Sequence, residues 1–105
     1  MGLISIAAFR AKAGREQDLI RVIDDRLPLL RSLGLATDRP EIRCRSQDGV
    51  IITISEWASR EAIDQAHETP EVLALWERFA ACCAWLKLES LSECSQDFAC
   101  FEALN

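Results

Sequence analysis

The stretch Glu56–Phe79, EWASREAIDQAHETPEVLALWERF, holds His67, the only histidine of the chain, and two of its three tryptophans, Trp57 and Trp76. Imidazole ordinarily titrates near about pH 6.5, so His67 can take a proton from an acidic hydroxyl at cellular pH. Once charged, it can also stabilise the anion it has made, and the end of a helix favours that cation. The same position offers a second, purely structural role, in which the side chain bonds the unpaired carbonyls of the last turn. Ile63 lies four residues earlier and shares a helical face with His67.

Around this histidine the aromatic residues have two uses. Trp57 closes a strand and Trp76 lies on a helical stripe, so each is either core or the wall of a pocket. Phe9 and Phe79 stand in the same position. Glu56 needs a partner on its strand, and Arg10, Arg43 and Arg45 are the cations expected across the sheet. Its alternative is a base with a raised pKa. Arg60, Glu61, Asp64 and Glu68 read as one solvated helix face.

The elements that must position these groups follow from hydrophobic spacing. LISIAAFR (3–10) suits a strand. AGREQDLIRVIDDRLPLLRSLG (13–34) carries Leu19, Ile23, Leu27 and Leu30 at helical intervals, with Gly34 as a stop and Pro28 expected to kink the helix or end it early. PEIRCRSQ (40–47) alternates as an edge strand with one wet face, and Asp48-Gly49 supplies a hairpin turn. VIITISEW (50–57) is rich in β-branched residues and suits a central strand. Ser59 can cap a short helix through Glu68, and Thr69-Pro70 opens another. That last helix is expected to carry Val72, Leu75, Trp76, Phe79, Cys82, Cys83 and Leu86. FACFEAL (98–104) is the expected final strand.

The order is β-α-β-β-α-β with a broken second helix, which predicts an α+β, ferredoxin-like plait with helices on one face of an antiparallel sheet. The other face would be apolar, whether it carries Ser5, Ala7 and Phe9 or the opposite register. A second copy of the chain is the expected cover.

Composition narrows the function classes. At 105 residues the chain suits one domain, spanning 1–105, with enough length to bury a core. Half its residues are apolar, and the formal net charge is −5, which argues against a nucleic-acid partner despite Arg43 and Arg45. No apolar run is long enough to cross a bilayer, so no membrane partner is expected. MGLISIAAFRAK lacks a basic lead and is not expected to be a signal peptide. The five cysteines, Cys44, Cys82, Cys83, Cys94 and Cys100, form no CxxC pair. With one histidine they make no usual zinc set, so structural thiols in a reducing cytoplasm are expected, with no metal.

In this element order, a strand ending in Glu56-Trp57, followed by Ser59-Arg60-Glu61-Ala62 and by Ala66-His67 on a short helix, resembles the antibiotic-biosynthesis monooxygenase family. That family belongs to the dimeric α+β barrel superfamily. The resemblance implies a homodimer whose sheets pack face to face, each protomer keeping a small-molecule pocket between sheet and helices. In the oxygenase members, an electron-rich phenol or quinol reacts with oxygen without metal or flavin. By that analogy the chain is a cofactor-independent monooxygenase of a small aromatic compound. His67 would be its base or phenolate partner, with Trp57, Trp76, Phe79, Phe9 and Ile63 contacting the substrate. The chain has no tyrosine, which removes any mechanism using a tyrosine hydroxyl. Ala7 or Ala8, Ala66 and Trp76 stand where haem-degrading members use asparagine, tryptophan and histidine, which argues against haem. The alternative is a non-catalytic dimeric binding or stress-response protein of the same fold.

Overall fold

The computed structural model describes residues 2–105. Its elements are β1 (Leu3–Ala11), α1 (Glu16–Ser32), β2 (Ile42–Arg45), β3 (Ile51–Trp57), α2 (Arg60–Ala66), α3 (Pro70–Cys82), β4 (Cys83–Leu86) and β5 (Glu102–Ala103). Two short 3-10 turns, Leu88–Ser90 and Ser92–Ser95, link β4 to β5. The sheet is antiparallel, in the order β4-β1-β3-β2-β5. This is the α+β, ferredoxin-like plait that the element order implies, extended by a fifth strand.

Three sequence expectations are corrected. The last helix stops at Cys82, and Cys83–Leu86 is a strand paired with β1, with Phe9 opposite Trp85. A short apolar run fits either period, and here the open edge of β1 decides for strand. FACFEAL therefore supplies no fourth strand: only Glu102–Ala103 pairs, and it does so on the far edge, beside β2. Of the two effects expected of Pro28, a kink or an early end, the early end is overturned, for α1 continues to Ser32 with Pro28 on its exposed side.

The β2–β3 hairpin turns as its sequence requires. Gly49 takes φ 84°, a conformation costly for any residue with a Cβ. Val50 lies behind it in the core. β3 is central, between β1 and β2, and is mostly buried.

Two packed regions lie between sheet and helices. Phe9 and Ile51 meet Leu19, Val22 and Ile23 of α1 and Leu75, Phe79 and Cys82 of α3. Trp57 meets Leu27, Leu30, Leu35, Ala62, Ala66 and Val72. Phe9 thus places odd-numbered β1 residues on the helix side. The outward set is the alternate register, Ile4, Ile6 and Ala8, rather than Ser5, Ala7 and Phe9.

That outer face is only half covered. Leu91, with Leu86, Leu88 and Phe101, packs over Ala8, Cys44, Val50 and Ile52. Glu93 fastens this segment, because its Oε2 accepts the Gln47 N–H at 2.8 Å. Beyond it, Ile6, Ile54 and Ile42 lie abreast on β1, β3 and β2. Ile4, Ile6 and Ile42 remain 55%, 47% and 55% exposed. β2 is not the edge strand expected, since β5 pairs beyond it; Ile42 faces out, while Arg43 and Arg45 join Ile51 in lining a cleft on the helix side.

Candidate functional site

The α2–α3 junction sets the orientation of His67. Ser59 caps α2, its hydroxyl accepting the Ala62 N–H at 3.0 Å. Ala66 is fully buried and ends the helix, leaving His67 as the capping residue. The Thr69 hydroxyl donates back to the Gln65 carbonyl at 2.8 Å, and Pro70 starts α3. This short turn lets the imidazole meet Trp76, one to two turns along α3. The rings lie 4.9 Å apart, edge to face at 64°.

His67 makes the helix-end contact and also faces a cavity. Its Nδ1 lies 2.9 Å from the Ile63 carbonyl. A carbonyl only accepts, so the proton of the neutral ring sits on Nδ1 and Nε2 is left as the acceptor. The ring also lines a cavity of about 390 Å3. Ala7 and Phe9 of β1 form its floor, and Trp76, Phe79 and Trp85 its aromatic walls. Phe9 stacks on Phe79 at 5.0 Å and 14°, while Trp85 tilts towards Phe79 at 6.0 Å.

The structure therefore brings His67, Trp76, Phe79 and Phe9 together around one cavity. Trp57 and Ile63 do not line it. Trp57 is buried in the neighbouring packed region, with the Arg26 guanidinium 5.5 Å above its ring. Ile63 contributes its carbonyl to His67, and its side chain packs near Trp57.

Three lining residues, Ala7, Trp85 and Arg26, escape the sequence reading. Trp85 is on β4, which the sequence pattern places in the last helix. Arg26 is a buried cation on α1 that also lines the cavity. Its signal was present: Leu19, Val22, Ile23, Arg26, Leu27 and Leu30 make one continuous buried stripe, and Arg26 occupies a core place within it.

Glu56 is no base. It sits outside this cavity, accepting a hydrogen bond from the Thr37 hydroxyl at 2.8 Å and facing Arg39 Nε at 3.2 Å. The Thr37 hydroxyl, then Arg39, holds its carboxyl below the usual glutamate range. Its partner is thus Arg39 rather than Arg10, Arg43 or Arg45. All five cysteines are free. Burial, reinforced by neighbouring Cys82, pushes the Cys83 thiol up to about 11, so it stays protonated.

A larger cavity of about 630 Å3 opens between α1, β2 and the C-terminal residues. Its charges are mostly spent on one another: Arg43 reaches Asp24 and Glu41, each at 2.6 Å. It contains no histidine or cysteine. Among the described residues, no three His, Cys, Asp or Glu side chains gather to hold a metal ion. Nor, among them, is any helix long and apolar enough to cross a membrane.

The profile of the family described as antibiotic biosynthesis monooxygenase (ABM) matches residues 2–78. The chain belongs to the ABM family. The match runs from the start of β1 into α3, so the ABM region contains His67, Trp76 and Arg26, while Trp85 and the tail lie beyond it. The solved structure of Rv0793 from Mycobacterium tuberculosis is similar, with a TM-score of 0.63 at 19% identity. The alignment covers 82% of this chain and 91% of that one, a likeness of fold. No curated protein matches the sequence.

Proposed function

We propose that this ABM protein is a cofactor-independent monooxygenase of a small, electron-rich aromatic hydroxyl compound, working as a homodimer of single-domain protomers in the cytoplasm. The observation that carries the reading is the His67 imidazole. Its Nδ1–H is committed to Ile63, and the ring, with no hydrogen-bond partner for Nε2 among the described residues, lines an aromatic-walled cavity. The cavity lies within the size range of small-molecule sites.

In this reading a planar phenol or quinol lies against Phe9, Trp76 and Phe79. His67 Nε2 accepts the phenolic proton, and the Ile63 carbonyl continues to accept from Nδ1–H as the ring becomes cationic. The phenolate is the electron donor and dioxygen the oxidant. For a naphthol with a free ring position, one oxygen atom enters the ring to give the quinone, and the other leaves as water. Atoms and electrons balance without a further reductant. The half-bare row Ile4, Ile6 and Ile42 supports dimerisation through the outer sheet faces.

The test is oxygen uptake with a panel of naphthols and hydroquinones. His67→Gln should abolish turnover while moving the thermal midpoint little, because the side chain is exposed and makes one hydrogen bond. Turnover equal to wild type in that variant would remove His67 from the chemistry. Saturable binding of the panel with no oxygen uptake would leave a small-molecule-binding protein.

A further inference from the structure

Arg26 is costly where it stands. Its residue is only 7% exposed, and burying a guanidinium costs several kcal/mol unless charge and hydrogen bonds compensate. The compensation is thin. Among the described residues, the only hydrogen bond from its side chain is Nη1 to the Ser55 hydroxyl, at 3.2 Å. Glu41 Oε2 is 3.9 Å away, beyond hydrogen-bond reach, while the other Glu41 oxygen is taken by Arg43 Nε at 2.6 Å. The Trp57 ring lies under the guanidinium at 5.5 Å. A guanidinium has five N–H donors in a planar fork, and four find no hydrogen-bond partner among the described residues. Neither Nε nor Nη2 is among the fully enclosed polar atoms without partners, which are Glu41 Oε2 and Arg45 Nε. The unused donors of Arg26 are therefore not fully enclosed, and Arg26 is among the residues that line the His67 cavity.

We propose that the cavity selects aromatic ligands bearing a carboxylate, with Arg26 as the residue that binds it and His67 left to face a ring hydroxyl. This rests on the small-aromatic reading of the site and deepens it to a substrate class, the aromatic hydroxy acids. The fork matches a carboxylate through two parallel hydrogen bonds, which a neutral group cannot copy. The phenyl and indole walls take the ring, and the pocket's cation and acceptor then address different substituents. The protein as a whole carries a net charge of −5, which disfavours anions at long range. A preference for an anion would thus have a local source. Arg26 acts here on binding and placement, not on the reacting atoms.

The experiment compares 2-naphthoate with 2-naphthamide, its neutral isostere, by quenching of tryptophan fluorescence; Trp76 and Trp85 both line the cavity. Wild type should bind the carboxylate at least about tenfold tighter, the range of a hydrogen-bonded charge. Arg26→Met, which keeps length and apolar volume, should lose that preference. His67→Gln should retain it. Equal affinities in wild type, tighter amide binding, or no saturable quenching by either compound overturns the proposal, as does a preference that survives in Arg26→Met. If Arg26→Met does not fold, the wild-type pair alone decides. Carboxylate preference without oxygen uptake by any phenol would leave Arg26 assigned and the oxygenase reading refuted. Uptake without the preference would do the reverse.

Discussion

Replacing Ile6 with lysine tests whether the outer sheet face is the dimer surface. Ile6 is 47% exposed in the protomer and lies beside Ile54, which in turn neighbours Ile42. Burying a whole isoleucine side chain is worth about 2 kcal/mol, so covering the exposed half contributes about 1 kcal/mol. A two-fold interface repeats every contact, which makes Ile6 worth about 2 kcal/mol per dimer. With Ile4 and Ile42 treated alike, the three positions together supply about 6 kcal/mol. Loss of the Ile6 contribution alone weakens dimerisation about 30-fold, and this is a lower bound because two ammonium groups must also avoid the interface. Sedimentation velocity across a dilution series measures the constant directly. The monomer of Ile6→Lys should melt near wild-type monomer, since the position is already half in water. A wild type that is monomeric at every concentration, or an Ile6→Lys dimer of unchanged strength, would refute the assignment.

Three further outcomes follow from the packing. Leu91→Ala should cost about 2–5 kcal/mol in urea unfolding, because Leu91 is buried against Ala8, Cys44, Val50 and Ile52; a cost under about 0.5 kcal/mol would mean the tail does not seal that face. The Gln47 backbone N–H holds the Glu93 carboxyl below its usual range, so its stabilising effect is complete above the ordinary glutamate value of about 4.3 and is lost as pH falls through the lower folded value. Glu93→Gln should therefore lower stability at neutral pH and flatten the acid limb of a urea-midpoint profile, and an unchanged acid limb would contradict the link. Alkylation followed by mass spectrometry should label exposed Cys94 and Cys100 first, while Cys83 reacts only on unfolding; early labelling of Cys83 would show that its site opens.

Much of the fold was legible because local rules and packing agree there. The α1 stripe, the Asp48-Gly49 turn, the Ser59 cap and the Thr69-Pro70 helix start each have one stable interpretation. Cys83–Leu86 did not, because an apolar run gives no period and only the open edge of β1 makes it a strand. The outward face of β1 was equally ambiguous, since Ser5-Ala7-Phe9 and Ile4-Ile6-Ala8 are both apolar enough to bury. In the candidate site, the aromatic and imidazole groups were visible as residue types. Arg26 was not, because a charge on a helix is ordinarily assigned to solvent, and only its place between Ile23 and Leu27 argues otherwise. Trp57 looked like a pocket wall because its strand ends near His67, but the helices close over it first.

β1 serves two surfaces with alternate residues: Ala7 and Phe9 form the cavity floor, and Ile4 and Ile6 the outer face. Because side chains alternate strictly along a strand, inserting or deleting one residue would exchange the two sets. Point substitutions can change the cavity floor or the outer face by itself, so the two surfaces can diverge separately during evolution. A change of length in β1 cannot do so: it would turn isoleucines towards the cavity and a phenylalanine towards the outer face at a single stroke. Descendants of this chain should therefore vary in the side chains of this strand far more readily than in its residue count.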